Sequence, residues 1–149
     1  MVKIGSMLDP VRIKDLASEN KEDALREMVD IITTSPVITD RDEFERAIFE
    51  REKVMSTGIG IGVAVPHVKI DCVDDFVIAV GRSIEGIDFN SLDGKPVHLI
   101  FMIGAATRQK DDFLKVLARV VHLIKNKGLQ EKIMPAQNPE EIYELLKNY

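Results

Sequence analysis

Apolar positions along the chain follow two periods, one near 3.6 residues and one near 2, and the switches between them mark out the elements. The short alternating run Val11-Arg12-Ile13, after Pro10, predicts a first strand. Asn20 then precedes Lys21-Glu22-Asp23, an N-cap with acids in the first turn, and Ala24, Leu25, Met28, Val29 and Ile32 return at three- and four-residue spacing. This pattern predicts an amphipathic helix that stops near Thr33-Thr34-Ser35-Pro36. A second helix is expected to open at Thr39, with Asp40 and Asp42 in its first turn and Phe44, Ala47, Ile48 and Met55 on one face. Residues 76–81 and 97–103 are nearly all apolar and rich in branched side chains, as strands buried on both faces would be. The turn chemistry between them, with Gly86, Asp88, Asn90, Asp93-Gly94 and Pro96, predicts a loop or wide hairpin that makes the two strands neighbours.

From Asp111 the helical period returns through Phe113, Leu114, Leu117, Val120, Val121 and Ile124, and Asn126-Lys127-Gly128 ends it. A brief helical turn over residues 129–134 follows. Asn138-Pro139 then opens a last helix with Ile142, Leu145 and Leu146 on its apolar side. Blocks of strands separated from blocks of helices predict an α+β fold, a mixed sheet covered by helices, in the order β-α-α-β-β-β-α-α-α. The length, 149 residues, suits one domain over 1–149 with one sizeable core.

One stretch departs from both periods. Ser56-Thr57-Gly58-Ile59-Gly60-Ile61-Gly62-Val63-Ala64-Val65-Pro66-His67 sets three alternate glycines before a small strand-forming run that stops at Pro-His. Proline has no N–H for a ladder, so regular pairing is expected to end at Pro66 and His67 to emerge at a strand edge, where sites on sheets collect. A neutral imidazole has a lone pair and titrates near physiological pH, so it can attack phosphorus with little more than aiming. Phosphoryl transfer then asks the protein mainly to position groups and to balance charge on oxygen. The main-chain N–H groups around Gly58, Gly60 and Gly62 could line an anion-binding concavity, and the hydroxyls of Ser56 and Thr57 could donate to phosphate. Arg51 is the nearest upstream cation, and its planar fork suits phosphate. Read without any comparison, His67 could equally cap a strand end. His98 stands inside an apolar strand and reads first as structural, and His122 falls off the apolar stripe of its helix.

The segment STGIGIGVAVPHVK, together with Ile87-Asp88-Phe89 and the run from Leu92-Asp93-Gly94-Lys95 to Phe101, resembles the enzyme IIA domains of the phosphotransferase system, of the fructose, mannitol and nitrogen-regulatory type. The resemblance spans about residues 5–147. It implies a three-layer α/β/α domain around a mixed sheet, with His67 as the phosphorylated residue. It also carries over Arg51, as the arginine of an Arg-Glu pair ahead of Ser-Thr-Gly. It implies a phosphohistidine donor on HPr or an HPr-like carrier, and an acceptor on a IIB component or a regulatory target in the nitrogen-regulatory branch, with no metal or bound cofactor. Ile59, Ile61, Val63 and Val68 could then form an apolar apron for protein partners.

Two positions depart from that family's pattern. Ile61 stands where asparagine is usual, and Phe113 where many members have a second, supporting histidine. Arg51 and the loop, or His98, would have to substitute, and the alternative is a regulatory binding module that has lost efficient transfer. Cytoplasmic anion-exchanger domains share the architecture, so fold alone also leaves a scaffold role open.

Composition narrows the partners. A formal charge of −5 without a basic cluster argues against nucleic acid and anionic membrane surfaces. No apolar run approaches the roughly 20 residues of a membrane helix, and Met1-Val2-Lys3-Ile4-Gly5 lacks a signal-peptide core. The lone Cys72 suits a reducing compartment, so the expected location is the cytoplasm. Cys72 and three scattered histidines have no metal-ligand spacing. Asp71, Asp74 and Asp75 read as a solvated turn.

Overall fold

The computed structural model describes residues 3–149. Its centre is an antiparallel pair, β5 (Val77–Ile87) and β6 (Val97–Ala105), in register from Val77 opposite Gly104 to Arg82 opposite Leu99, with an irregularity before Ile87 meets Val97. The expected neighbours are neighbours. The stretch expected as a loop is shorter, because β5 runs on through Ile87. Outside β5 lies β1 (Ile13–Asp15), parallel to it. Pro10–Arg12 form a 3-10 turn capped by the Asp9 side chain, which displaces the predicted first strand two residues along the chain.

Side chains alternate along the regular part of the central pair. Val77, Ala79, Ile100 and Met102 face one core and Ile78, Val80, Phe101 and Ile103 the other. The first core is closed by α1 (Lys21–Ile32) and α2 (Arg41–Val54), the second by α3 (Lys110–Ile124), α4 (Lys127–Ile133) and α5 (Pro139–Leu146). Three layers result, as expected. Asn20, Asp40, Asn126 and Asn138 each accept a backbone N–H at a helix start. Asp40 therefore caps the second helix in place of Thr39, whose hydroxyl donates to the Cys72 carbonyl at 3.0 Å. Met55 lies just past the end of α2 and is exposed, outside the predicted face. On α3 the buried stripe is Val116, Val120, Leu123 and Ile124, while Leu114 is 68% exposed. Apolar residues surround that helix on most sides, so the sheet and not the periodicity chooses the buried face.

Three strands were expected between the second and third helices, and there are five. Residues 58–69 are cut into β2 (Gly58–Gly60), β3 (Val63–Ala64) and β4 (His67–Lys69). β2 and β3 form a hairpin, and β3 and β4 both run parallel to β6 at successive points along it. The break between β3 and β4 is Pro66. Arg82 joins the layers from within: it is 3% exposed, with Nε and Nη2 donating to the Asp15 carboxylate and Nη1 to the Ile133 and Ala136 carbonyls. No helix among the described residues is long and apolar enough to cross a membrane.

Candidate functional site

Pro66 positions the imidazole. Its carbonyl still accepts the Ile103 N–H at 2.9 Å, and pairing resumes at once with His67 opposite Ile103. The expectation that pairing ends at Pro66 is thus corrected: the ladder is interrupted and continues, so His67 opens a strand that β6 holds in place. On β4, Val68 points into the core while His67 and Lys69 share the other face.

The His67 Nδ1 lies 2.7 Å from the Val65 carbonyl oxygen. A carbonyl can only accept, so Nδ1 carries the proton and Nε2 the lone pair. Among the described residues Nε2 has no hydrogen-bond partner. The half-buried ring lines a cavity of about 350 Å³ with Arg51, Val68, Lys69 and Phe113. The Phe113 ring, in the first turn of α3, is tilted 51° to the imidazole at a centroid distance of 5.8 Å. Lys69 Nζ stands 5.8 Å from the Phe113 centroid. Burial pushes the His67 imidazole below its ordinary 6.5, and the Arg51 guanidinium lowers it further, against the Val65 carbonyl and the Glu52 carboxylate. At neutral pH the ring is therefore uncharged and its lone pair is available.

Arg51 is held near the end of α2 by a bond from Nη1 to the Met55 carbonyl at 3.0 Å, which leaves its other N–H groups to the cavity. The remaining predicted groups are elsewhere. Ser56 Oγ donates to the Phe89 carbonyl at 2.6 Å and accepts the Gly58 N–H. Thr57 is buried, with both its N–H and its hydroxyl donated to the Glu52 carboxylate at 2.8 Å. Neither hydroxyl proton points at His67. The glycines build the β2–β3 hairpin instead of a phosphate cradle: Gly60 and Gly62 have φ of +90° and +80°, the Gly62 carbonyl accepts the His98 and Leu99 N–H groups, and the Ile61 N–H goes to Asp93. No residue of 58–62 lines the His67 cavity.

His98 cannot substitute for a supporting histidine. Its Nδ1 bonds the Ser83 carbonyl at 2.9 Å, and its ring presses on Gly86, where a Cβ would come within 2.9 Å. It lies five residues from Ile103 on β6, roughly 16 Å from the level of His67. Of the apolar apron, Val68 lines the cavity, Val63 is in the core, and Ile59 and Ile61 line a separate groove. Two contributors escaped the sequence. Lys69 had a signal, the two-residue spacing from His67 on a strand. Glu52 was visible only as the second member of the Arg-Glu pair, with no sign of its role: its carboxylate, buried between Lys21 Nζ at 2.9 Å and Thr57, ties the start of the glycine segment to both α1 and α2.

Fold and site together define a class: a three-layer domain that presents a neutral histidine in a surface cavity it shares with two cations. The chain belongs to the family described as phosphoenolpyruvate-dependent sugar phosphotransferase system, EIIA 2, whose model matches residues 7–149. It is 35% identical over 149 residues to a Bacillus subtilis PTS system fructose-specific EIIABC component, covering 99% of this chain but 24% of that protein. A Haloferax volcanii PTS system fructose-specific EIIA component is 33% identical over 126 residues, covering 85% of this chain and 82% of the relative. The crystal structure of nitrogen regulatory protein IIA-Ntr from Neisseria meningitidis superposes with a TM-score of 0.87 at 30% identity, covering 96% and 98% of the two chains.

Proposed function

We propose that this chain is a phosphocarrier of the phosphotransferase system that takes a phosphoryl group on His67 Nε2 from a phosphohistidine on an HPr-like protein. The group then passes to a IIB component or serves as a regulatory signal. In the first step the donor's P–N bond breaks, the donor imidazole leaves with the bonding pair, and the Nε2 lone pair forms the new P–N bond. Nδ1 keeps its proton on the Val65 carbonyl throughout, so the ring does not turn as it gains charge. Arg51 and Lys69 flank the cavity where the three phosphoryl oxygens would sit, and charge there is what a loose transition state asks the protein to balance. The observation that carries this reading is the uncharged imidazole with a free Nε2 in the cavity it shares with those two cations.

Incubation with HPr phosphorylated on its histidine tests it. Label that is acid-labile, base-stable and absent from His67→Ala is the expected result. One observation favours a second reading: Phe113 packs on His67 and offers no hydrogen bond to phosphate, as a regulatory binding module without efficient transfer would have it. Unlabelled protein that still binds the carrier would select that module.

A further inference from the structure

The β2–β3 hairpin closes over two residues, Ile61 and Gly62, with φ of +53° and +80°. Two-residue turns with both φ values positive suit Asn-Gly, because asparagine tolerates the left-handed region and glycine enters it freely. A β-branched residue does neither, so Ile61 holds a strained backbone. Core packing does not compensate, since its side chain is 47% exposed.

What Ile61 does form is the lip of a groove of about 780 Å³, floored by Ile59 and Val121. Its rim carries Lys125 and Lys127 against Glu131 at one end, while at the other the Asp93 carboxylate accepts the Ile61 N–H at 3.2 Å, on a chain whose formal charge is −5. Neither lysine is in an ion pair among the described residues. Gln130 is already committed to the Ile124 carbonyl at 2.8 Å. An aliphatic floor edged by unpaired cations complements aliphatic side chains flanked by carboxylates.

We propose that this groove is a docking site for an acidic, leucine-bearing segment of a partner protein, with Ile61 as its anchor. The site is separate from His67: Val121 is eight residues beyond Phe113 on α3, about 12 Å along the helix, and no residue lines both cavities. It therefore stands whether or not His67 carries phosphate. The strain at Ile61 is the trace of that use, a local cost kept where the side chain meets another molecule.

The probe is a fluorescent amphipathic peptide of about 18 residues with leucine along one helical face and glutamate beside it, titrated at low salt against the full chain. Its twin has lysine for glutamate. Saturable binding of the glutamate peptide, at least about tenfold tighter than its twin, is expected. Ile61→Asn should weaken it about tenfold while raising Tm by about 3 °C or more. Lys125→Gln with Lys127→Gln should remove most of the preference between the peptides, and His67→Ala should leave binding unchanged. Absence of saturable binding, equal affinity for both peptides, or unchanged binding by Ile61→Asn would overturn the proposal. So would sedimentation showing a wild-type dimer that Ile61→Asn dissolves, which would give the groove to a second copy of the chain.

Discussion

At the scale of single residues, the proposed transfer turns on which proton His67 lacks. Its pKa is lowered first by burial and then by Arg51, so the charged form is disfavoured in the folded state. The unfolded chain, titrating near 6.5, binds the proton more readily, and between the two values the folded protein holds fewer protons. Stability from this group is complete above the unfolded value and is lost as pH falls through the lowered one. Urea midpoints of the wild type should thus fall more than those of His67→Gln between about pH 7.5 and about pH 5.5. For the same reason the acid limb of the transfer rate should lie below 6.5. Lys69→Gln should slow labelling by roughly tenfold to a hundredfold with Tm unchanged, and Lys69→Arg should recover most of the rate; single-turnover labelling reads both. That His67 and Arg51 share one cavity agrees with what the resemblance implied from the Pro-His and Arg-Glu pairs, which spacing alone left open. The contacts of the Ser56 and Thr57 hydroxyls were not legible in the sequence, because their acceptors, the Phe89 carbonyl and the Glu52 carboxylate, are set by folding and not by spacing.

At the scale of elements, helices were easier to read than the segment that matters most. Each N-cap is local, so Asn20 and Asn138 announced their helices and Thr39 missed by one residue. The glycine segment has no period to follow. Its hairpin depends on positive φ at three consecutive residues, and its last strand on a partner, β6, more than thirty residues later. What fixes this segment to the helical layer is Glu52. Glu52→Ala leaves the Thr57 N–H and hydroxyl without their acceptor in a buried place, and the Lys21 ammonium with only the Phe89 carbonyl at 3.4 Å. A loss of about 3 kcal/mol is expected, measured as the urea midpoint at constant m-value. Hydrogen exchange should show the added opening at residues 56–60 before it appears in the β5–β6 pair.

At the scale of the molecule, the two apolar strand runs foretold a sheet buried on both faces, and the separated helix blocks foretold its two covers. Neither revealed what ties the covers together. β1 is paired over three residues, and Arg82 extends its hold across the sheet to the connection between α4 and α5. The Asp15 carboxylate is partly exposed, so on losing its partner it can turn to water, and that pair contributes little. The Ile133 carbonyl has no such outlet where it meets the buried guanidinium, and the partly buried Ala136 carbonyl has less of one than the carboxylate. Arg82→Ala should therefore cost about 3 kcal/mol, most of it from those two acceptors, and Asp15→Asn should cost under about 1 kcal/mol. Arg82→Lys keeps the charge but not the fork, so it can serve one side of the clamp and not both. Its stability should fall between the two, and a double-mutant cycle with Asp15→Asn should leave most of the Arg82→Ala loss intact. A coupling energy as large as the whole loss would place the clamp's strength in the ion pair and not in the carbonyls of the far layer.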